Sequence, residues 1–134
     1  KHHIDELLTH SDMVPAVDQI ESSPQFTNQE LIGQLRAKGI HTEAWSPLGG
    51  TGGNLLSNPV LAEIGAKYGK SPAQVVIRWH IQRGIVVLPK STHAERIKQN
   101  FEVFDFNLTV DDTTAISAIN TGKRNGADPD NFNF

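Results

Sequence analysis

Three short apolar runs, each followed by a stretch with helical spacing, decide what this chain can fold into. Val14 to Ile20, Ile40 to Ser46 and Ile85 to Pro89 read as strands. Between them lie helices that announce their own ends. Thr27 to Glu30 fits a capping box, and Leu31, Ile32 and Leu35 would face inward until Gly39 stops the helix. Asn58 caps a helix opened by Pro59, with Val60, Leu61, Ile64 and Tyr68 on its apolar side and Gly69 at its end. Ser71 to Gln74 starts another, which places Val75, Val76, Trp79 and His80 together and stops at Gly84. Thr92 to Glu95 fits a further capping box, for a helix through Ile97 and Phe101, and Thr109 caps a last one with Ile116 and Ile119 inward. A strand that reaches the next strand only through a helix pairs with it in parallel, so the expected class is α/β with three parallel strands. Ile85 to Leu88 is apolar on both faces, as in a strand buried inside a parallel sheet. Three parallel strands leave two open edges, so either something closes the sheet or the chain is part of a larger barrel.

Size and composition narrow the function. The 134 residues suffice for one domain and one core. Twelve basic against 15 acidic side chains give a net charge of −3, which argues against a binder of nucleic acid or anionic membrane. The absence of cysteine excludes disulfides, cysteine zinc sites and thiol nucleophiles. No apolar run approaches membrane-spanning length and no signal-peptide pattern opens the chain, so a cytoplasmic location is expected. The first residue is Lys1, and Ile4, Leu7 and Leu8 already sit at helical spacing, so the chain starts inside a helix. His2 and His3 are too few for a purification tag.

In parallel α/β architectures the chemistry sits at the carboxyl ends of the strands. Those ends carry Gln19 and Glu21, then Trp45, Ser46 and Leu48, then Lys90 and Ser91. Lys90 stands just before a helix start, with Arg96 one turn in and Gln99 and Asn100 a turn further. That is the layout of a phosphate clamp with polar neighbours for a base or sugar, or else of a solvated basic helix start. Trp45 is either a core ring or a stacking surface. Trp79 is expected in the core and His80 as a packed helix residue. Gly65 to Ser71 resembles a P-loop but is one residue short and follows a helix. Gly49 to Gly53 is read as a flap-like loop. The six histidines show no metal spacing on one element, so no metal is expected.

Taken together, these residues resemble the aldo-keto reductases. The ordered motifs are Asp18-Gln19-Ile20-Glu21, Glu43-Ala44-Trp45-Ser46-Pro47-Leu48-Gly49, Ser71 to His80, Leu88-Pro89-Lys90-Ser91 with Arg96 and Asn100, and Phe101 to Phe106. They are most similar to the bacterial branch that includes 2,5-diketo-D-gluconate reductases, over nearly the whole chain. The resemblance implies the C-terminal part of a TIM (β/α)8 barrel over residues 1–134, with a cofactor-binding segment at 85–100 and a C-terminal loop at 121–134. A barrel of this kind has about 250 residues, so three of its eight strands would lie here. It implies NADPH-dependent reduction of aldehydes or ketones, keto sugars or dicarbonyls among them.

Gln19 would hold the nicotinamide carboxamide and Trp45 would stack on the ring. Ser46 and Leu48 would lie along the pyrophosphate. Lys90, Ser91 and Arg96 would hold the 2′-phosphate with Thr92 beside it, and Gln99 and Asn100 would contact the adenine. Asp18 stands where the family usually has Asn. The family's catalytic Asp, Tyr, Lys and His lie before the region matching Lys1, so no catalytic residue is assigned here. The expected partners are a small carbonyl substrate and either the N-terminal half of the barrel or a second copy. The other readings are a nucleotide-binding regulatory module and a non-catalytic fragment held by association.

Overall fold

The computed structural model describes residues 1–50 and 53–132. The elements run α1 (His2–His10), β1 (Val17–Glu21), α2 (Gln29–Ala37), β2 (His41–Trp45), a 3-10 turn at Leu55–Ser57, α3 (Pro59–Tyr68), α4 (Pro72–Gln82), β3 (Val86–Val87), α5 (Ala94–Phe101) and α6 (Val110–Ser117). The strands form one parallel sheet in the order β1-β2-β3, with Gln19 beside Glu43 and Glu43 beside Val86. Among the described residues the outer edges of β1 and β3 carry no further strand, and no helix is long and apolar enough to cross a membrane.

Several helix ends follow the sequence rules. Asn58 accepts from the Val60 N–H, and Ser71 with Gln74 and Thr109 with Asp112 close reciprocal capping boxes. Gly69 ends α3 in the left-handed conformation. A side chain at Gly65 would collide with the Lys70 carbonyl, so both glycines serve a helix terminus and not a phosphate loop. Two expected boxes are absent. Asn28, itself left-handed at φ 48°, precedes α2 and gives its side-chain N–H to the Glu21 carbonyl. Thr27 is buried, and its carbonyl accepts from Arg83. The Thr92 box fails because α5 starts at Ala94, one residue too late, and Ser91 Oγ instead accepts from the His93 N–H.

Packing makes the sheet two-faced. Ile20, Ala44 and Ile85 pack with Ile32 of α2, while Val87 joins the larger core of α3, α4 and α6 around Leu61, Val76, Trp79 and Ile116. The opposite face is open: Val17, Val86 and Leu88 are each close to half exposed. This corrects the expectation that Ile85 to Leu88 is buried on both sides. β3 is also shorter than expected. The Ile85 N–H turns back to the His80 carbonyl, and Pro89 has no N–H to give. α5 buries no residue, with Phe101 73% exposed and Phe104 just beyond it 67% exposed.

Two polar groups are built into the core. The Asp112 carboxylate caps α6 and accepts from Lys67 Nζ at 2.8 Å and Tyr68 Oη at 2.5 Å. Burial alone would raise its pKa, but the donors outweigh burial and hold it well below the usual carboxylate range. His80 is fully buried, with Nδ1 2.9 Å from the Val76 carbonyl and Nε2 3.1 Å from the Ser22 carbonyl. It ties α4 to the loop after β1. Burial pushes its pKa from 6.5 down to about 4, against the pull of those two carbonyls. A group whose folded pKa lies below its unfolded value stabilises the fold above the unfolded pKa and loses that contribution as the pH falls. Stability should therefore decline from pH 6.5 towards about 4, by up to about 3 kcal/mol from this residue. Urea unfolding of the wild type and His80→Gln across that range reads the difference. Parallel curves would show that His80 does not titrate this way.

Candidate functional site

The carboxyl ends of β1 and β2 are organised by a buried carboxylate. Glu21 is 1% exposed and accepts from the backbone N–H groups of Asn125 at 2.7 Å and Gly126 at 3.1 Å. The tail is thereby drawn across the strand ends. Asn125 also donates to the Gly49 carbonyl, the Thr121 N–H reaches the Gln25 carbonyl, and the Arg124 guanidinium lies over Phe26. Gly126 packs directly on the six-membered ring of Trp45, where any Cβ would collide. Sequence reasoning noticed Glu21 at a strand end but gave it no role. Its acidic side chain at the inner end of an apolar strand was the available signal.

Trp45 closes β2, and Ser46 follows in the left-handed conformation at φ 49° directly before Pro47. That conformation costs a non-glycine about 1–2 kcal/mol. It is held by the Gly49 N–H donating to the Ser46 carbonyl and by Ser22 N–H donating to that of Trp45. On β1, Gln19 points to the open face and donates from Nε2 to Glu43 Oε1 at 2.5 Å. Strand alternation sends Asp18 to the other face, beside Thr42, so the carboxylate that replaces the family's Asn points away from the Gln19 amide.

Three clefts connect these groups. A cavity of about 230 Å³ is bordered by Gln19, Trp45, Arg124 and Pro129. A second, of about 460 Å³, is bordered by Trp45, Ser46, Leu48, Leu88 and Lys90. A third, of about 490 Å³, is bordered by Leu88, Lys90, Ser91, Asn100 and Phe101. Trp45 is shared by the first two, and Leu88 with Lys90 by the last two, so the clefts form a continuous row along the strand ends. Seven of the ten residues singled out from sequence border it: Gln19, Trp45, Ser46, Leu48, Lys90, Ser91 and Asn100. Thr92, Arg96 and Gln99 border none of the three. Arg96 is exposed in the first turn of α5, and the Gln99 carbonyl is held by Gln74.

Other sequence readings resolve here too. Trp79 is a core ring, its Nε1 donating to Ser117 Oγ. Tyr68 lies on α3, bonded to Asp112, which raises its pKa. Gly49 and Gly50 both have positive φ, while Gly52 of that loop and Phe134 of the tail lie outside the described residues. No pair of histidines is spaced as ligands along one element, yet the fold brings His2 and His3 to Asp130.

Known proteins match this arrangement. The aldo/keto reductase family pattern matches residues 2–121. An uncharacterized oxidoreductase, YtbE of Bacillus subtilis, is 49% identical over 133 residues, covering 99% of this chain and 47% of that protein. Glyoxal reductase of the same organism is 44% identical, covering 99% of this chain and 48% of its own length. A crystal structure of a Gox0644 mutant in complex with NADPH superposes with a TM-score of 0.94 at 39% identity, over all of this chain and 49% of that one. The chain thus spans about half the length of the curated relatives it matches, and its three parallel strands correspond to part of a barrel. The match of family pattern, sequence and fold over almost every residue means that this chain belongs to the aldo/keto reductase family.

Proposed function

We propose that the whole protein is an NADPH-dependent reductase of aldehydes and ketones, with small dicarbonyls and keto sugars as candidate substrates. This chain supplies the cofactor grip and no catalytic group. The observation that carries the reading is the row of clefts. It runs from an amide, past an indole ring and a left-handed turn, to a lysine before a helix start, which is the order a dinucleotide presents. The glyoxal reductase and the NADPH-bound relative support it. The same proposal includes a cytoplasmic setting and a small carbonyl compound as the partner, not nucleic acid or membrane.

The residues fit the group chemically. Gln19 commits its N–H to Glu43, which leaves Oε1 to accept from a carboxamide N–H. Trp45 offers its ring to two clefts while Gly126 fixes its outer edge. Ser46 and Leu48 border the middle cleft where a pyrophosphate would lie. Lys90, Ser91 and Arg96, with Thr92 beside them, would hold the 2′-phosphate, and Gln99 and Asn100 the adenine. When bound, the dinucleotide supplies the hydride. The proton must come from an acid that none of these clefts provides, and the family's Tyr, with its Lys, Asp and His, would lie on strands preceding Lys1. Those strands would also pair with the edges of β1 and β3 and cover the open sheet face.

In the full-length protein, Arg96→Ala should weaken NADPH binding about tenfold or more and leave NADH nearly unchanged, since one charge-assisted contact contributes about 1.5–3 kcal/mol. Equal losses for the two cofactors would remove Arg96 from the 2′-phosphate.

Trp45 should report binding. Added NADPH should quench its emission by stacking, and Trp79, enclosed in the core, should respond little. Trp45→Phe retaining the full quench would refute the stacking assignment.

The 134 residues by themselves should reduce no small dicarbonyl with NADPH, because the missing acid is typically worth a factor of about 10²–10⁴ and Tyr68 is tied to Asp112 on an outer helix. They should also elute larger than a monomer, because the strand edges and the Val86–Leu88 face meet water. A monomer with turnover above background would overturn both statements.

A further inference from the structure

We infer that His2, His3 and Asp130 form a surface site for a divalent transition-metal ion, and that the ion clips the C-terminal tail to α1. Consecutive helical residues point about 100° apart, so neighbouring histidines seldom share a ligand. Here both Nε2 atoms converge on one carboxylate oxygen, Asp130 Oδ1, at 3.2 Å from His2 and 3.4 Å from His3, with the rings 4.1 Å apart. The three ligand atoms all lie within 4.8 Å of one another. Zinc held at about 2.0–2.1 Å by tetrahedral N and O ligands has ligand-to-ligand edges of about 3.3–3.4 Å, which is the spacing found.

The carboxylate is positioned from within the tail. Asp128 accepts from the Asp130 N–H at 3.1 Å and from Asn131 Nδ2 at 2.9 Å, which fixes the turn and leaves the Asp130 side chain to face the imidazoles. The adjacent cation is already neutralised, since Lys1 pairs with Asp5 at 2.9 Å. All three side chains are more than half exposed, so water can complete the coordination. Two imidazoles and one carboxylate suit Zn²⁺, Co²⁺, Ni²⁺ or Cu²⁺ and not Mg²⁺ or Ca²⁺.

The position gives the site a consequence. His3, Ile4, Arg124, Ala127 and Pro129 border the cavity that also holds Gln19 and Trp45. An ion joining α1 to Asp130 would fasten the roof of that cavity. The tail's inner end is already held by Glu21 through Asn125 and Gly126, so the ion would supply the outer anchor. This inference goes beyond the dinucleotide reading and stands on different residues.

The test is a calorimetric titration of the full-length protein with Zn²⁺, repeated on His3→Gln, Asp130→Asn and the control His93→Gln. Hydrogen exchange at the amides of Asn125 to Asn131 is measured in parallel with and without the metal. The wild type and His93→Gln should bind one ion alike, and each site variant should bind at least about tenfold more weakly. Exchange across those tail amides should slow on adding Zn²⁺ to the wild type and stay unchanged in Asp130→Asn. The substituted side chains are exposed, so the variants should fold. Cu²⁺ in place of Zn²⁺ should give a spin-resonance signal split by two imidazole nitrogens. No binding at micromolar Zn²⁺, or equal affinity in Asp130→Asn, would overturn the site. Binding without slower exchange would overturn the clip. None of these readouts depends on NADPH.

Discussion

The Glu21 carboxylate is the interaction on which the site depends. A carboxylate removed from water costs several kcal/mol unless its oxygens find donors. Here the donors are two consecutive backbone N–H groups from the far end of the chain. That pairing fixes where the tail crosses the strand ends, and the crossing brings Gly126 onto Trp45 at a distance that excludes any side chain. The indole is thus positioned from two directions, by the strand that carries it and by the glycine above it. Losing Glu21 would free the tail and the outer edge of the ring together. Around this contact the tail buries little apolar surface, and its order rests on polar anchors: Asn125 on Gly49, Thr121 on Gln25, and the Asp128 turn. Segments held this way open at low free energy, which suits a strap over a binding cleft.

The sheet explains why the chain looks half finished. Its helix-facing side is a normal core, with Ala44, Ile85 and Val87 enclosed by α2 and α4. Its other side mixes apolar Val17, Val86 and Leu88 with polar Gln19 and Glu43. In a closed barrel that side is the filled interior, and its polar positions gather towards the mouth. One surface therefore carries both a liability and a function: the apolar residues call for covering strands, and the polar ones at the carboxyl ends handle a ligand.

Much of this was legible in the residues. Asn58 with Pro59, Ser71 with Gln74 and Thr109 with Asp112 act locally, within one helical turn, and the chain alone specifies them. Thr27 and Thr92 carry the same signature and do not cap. Thr27 is claimed by packing beneath Arg83, and Ser91 makes the turn before α5 in place of Thr92. The strand ends and the clamp residues were visible as polar interruptions of apolar runs. What the sequence could not display is contact between distant parts: Glu21 with Asn125, Gly126 with Trp45, and His2 and His3 with Asp130. Asp18 was half legible. Alternation along β1 separates it from Gln19, but only the β1–β2 register shows which face is which.

Those long-range contacts share one element, the tail, and that bears on how the site works. The tail's inner anchor is a carboxylate bonded to main-chain N–H groups, so it holds whatever side chains the tail carries, provided that Gly126 stays small. The outer contact is side chain to side chain, between exposed imidazoles and an exposed carboxylate, and water and salt weaken it where no metal joins the three. A strap fixed at its inner end and loosely tied at its outer end hinges near Gly126. Its free end then moves over the cavity bordered by Gln19 and Trp45 while the indole stays in place. The geometry thus separates two tasks. Glu21 keeps the ring in position, and the contacts of Asp130 determine how readily the cavity beside it opens.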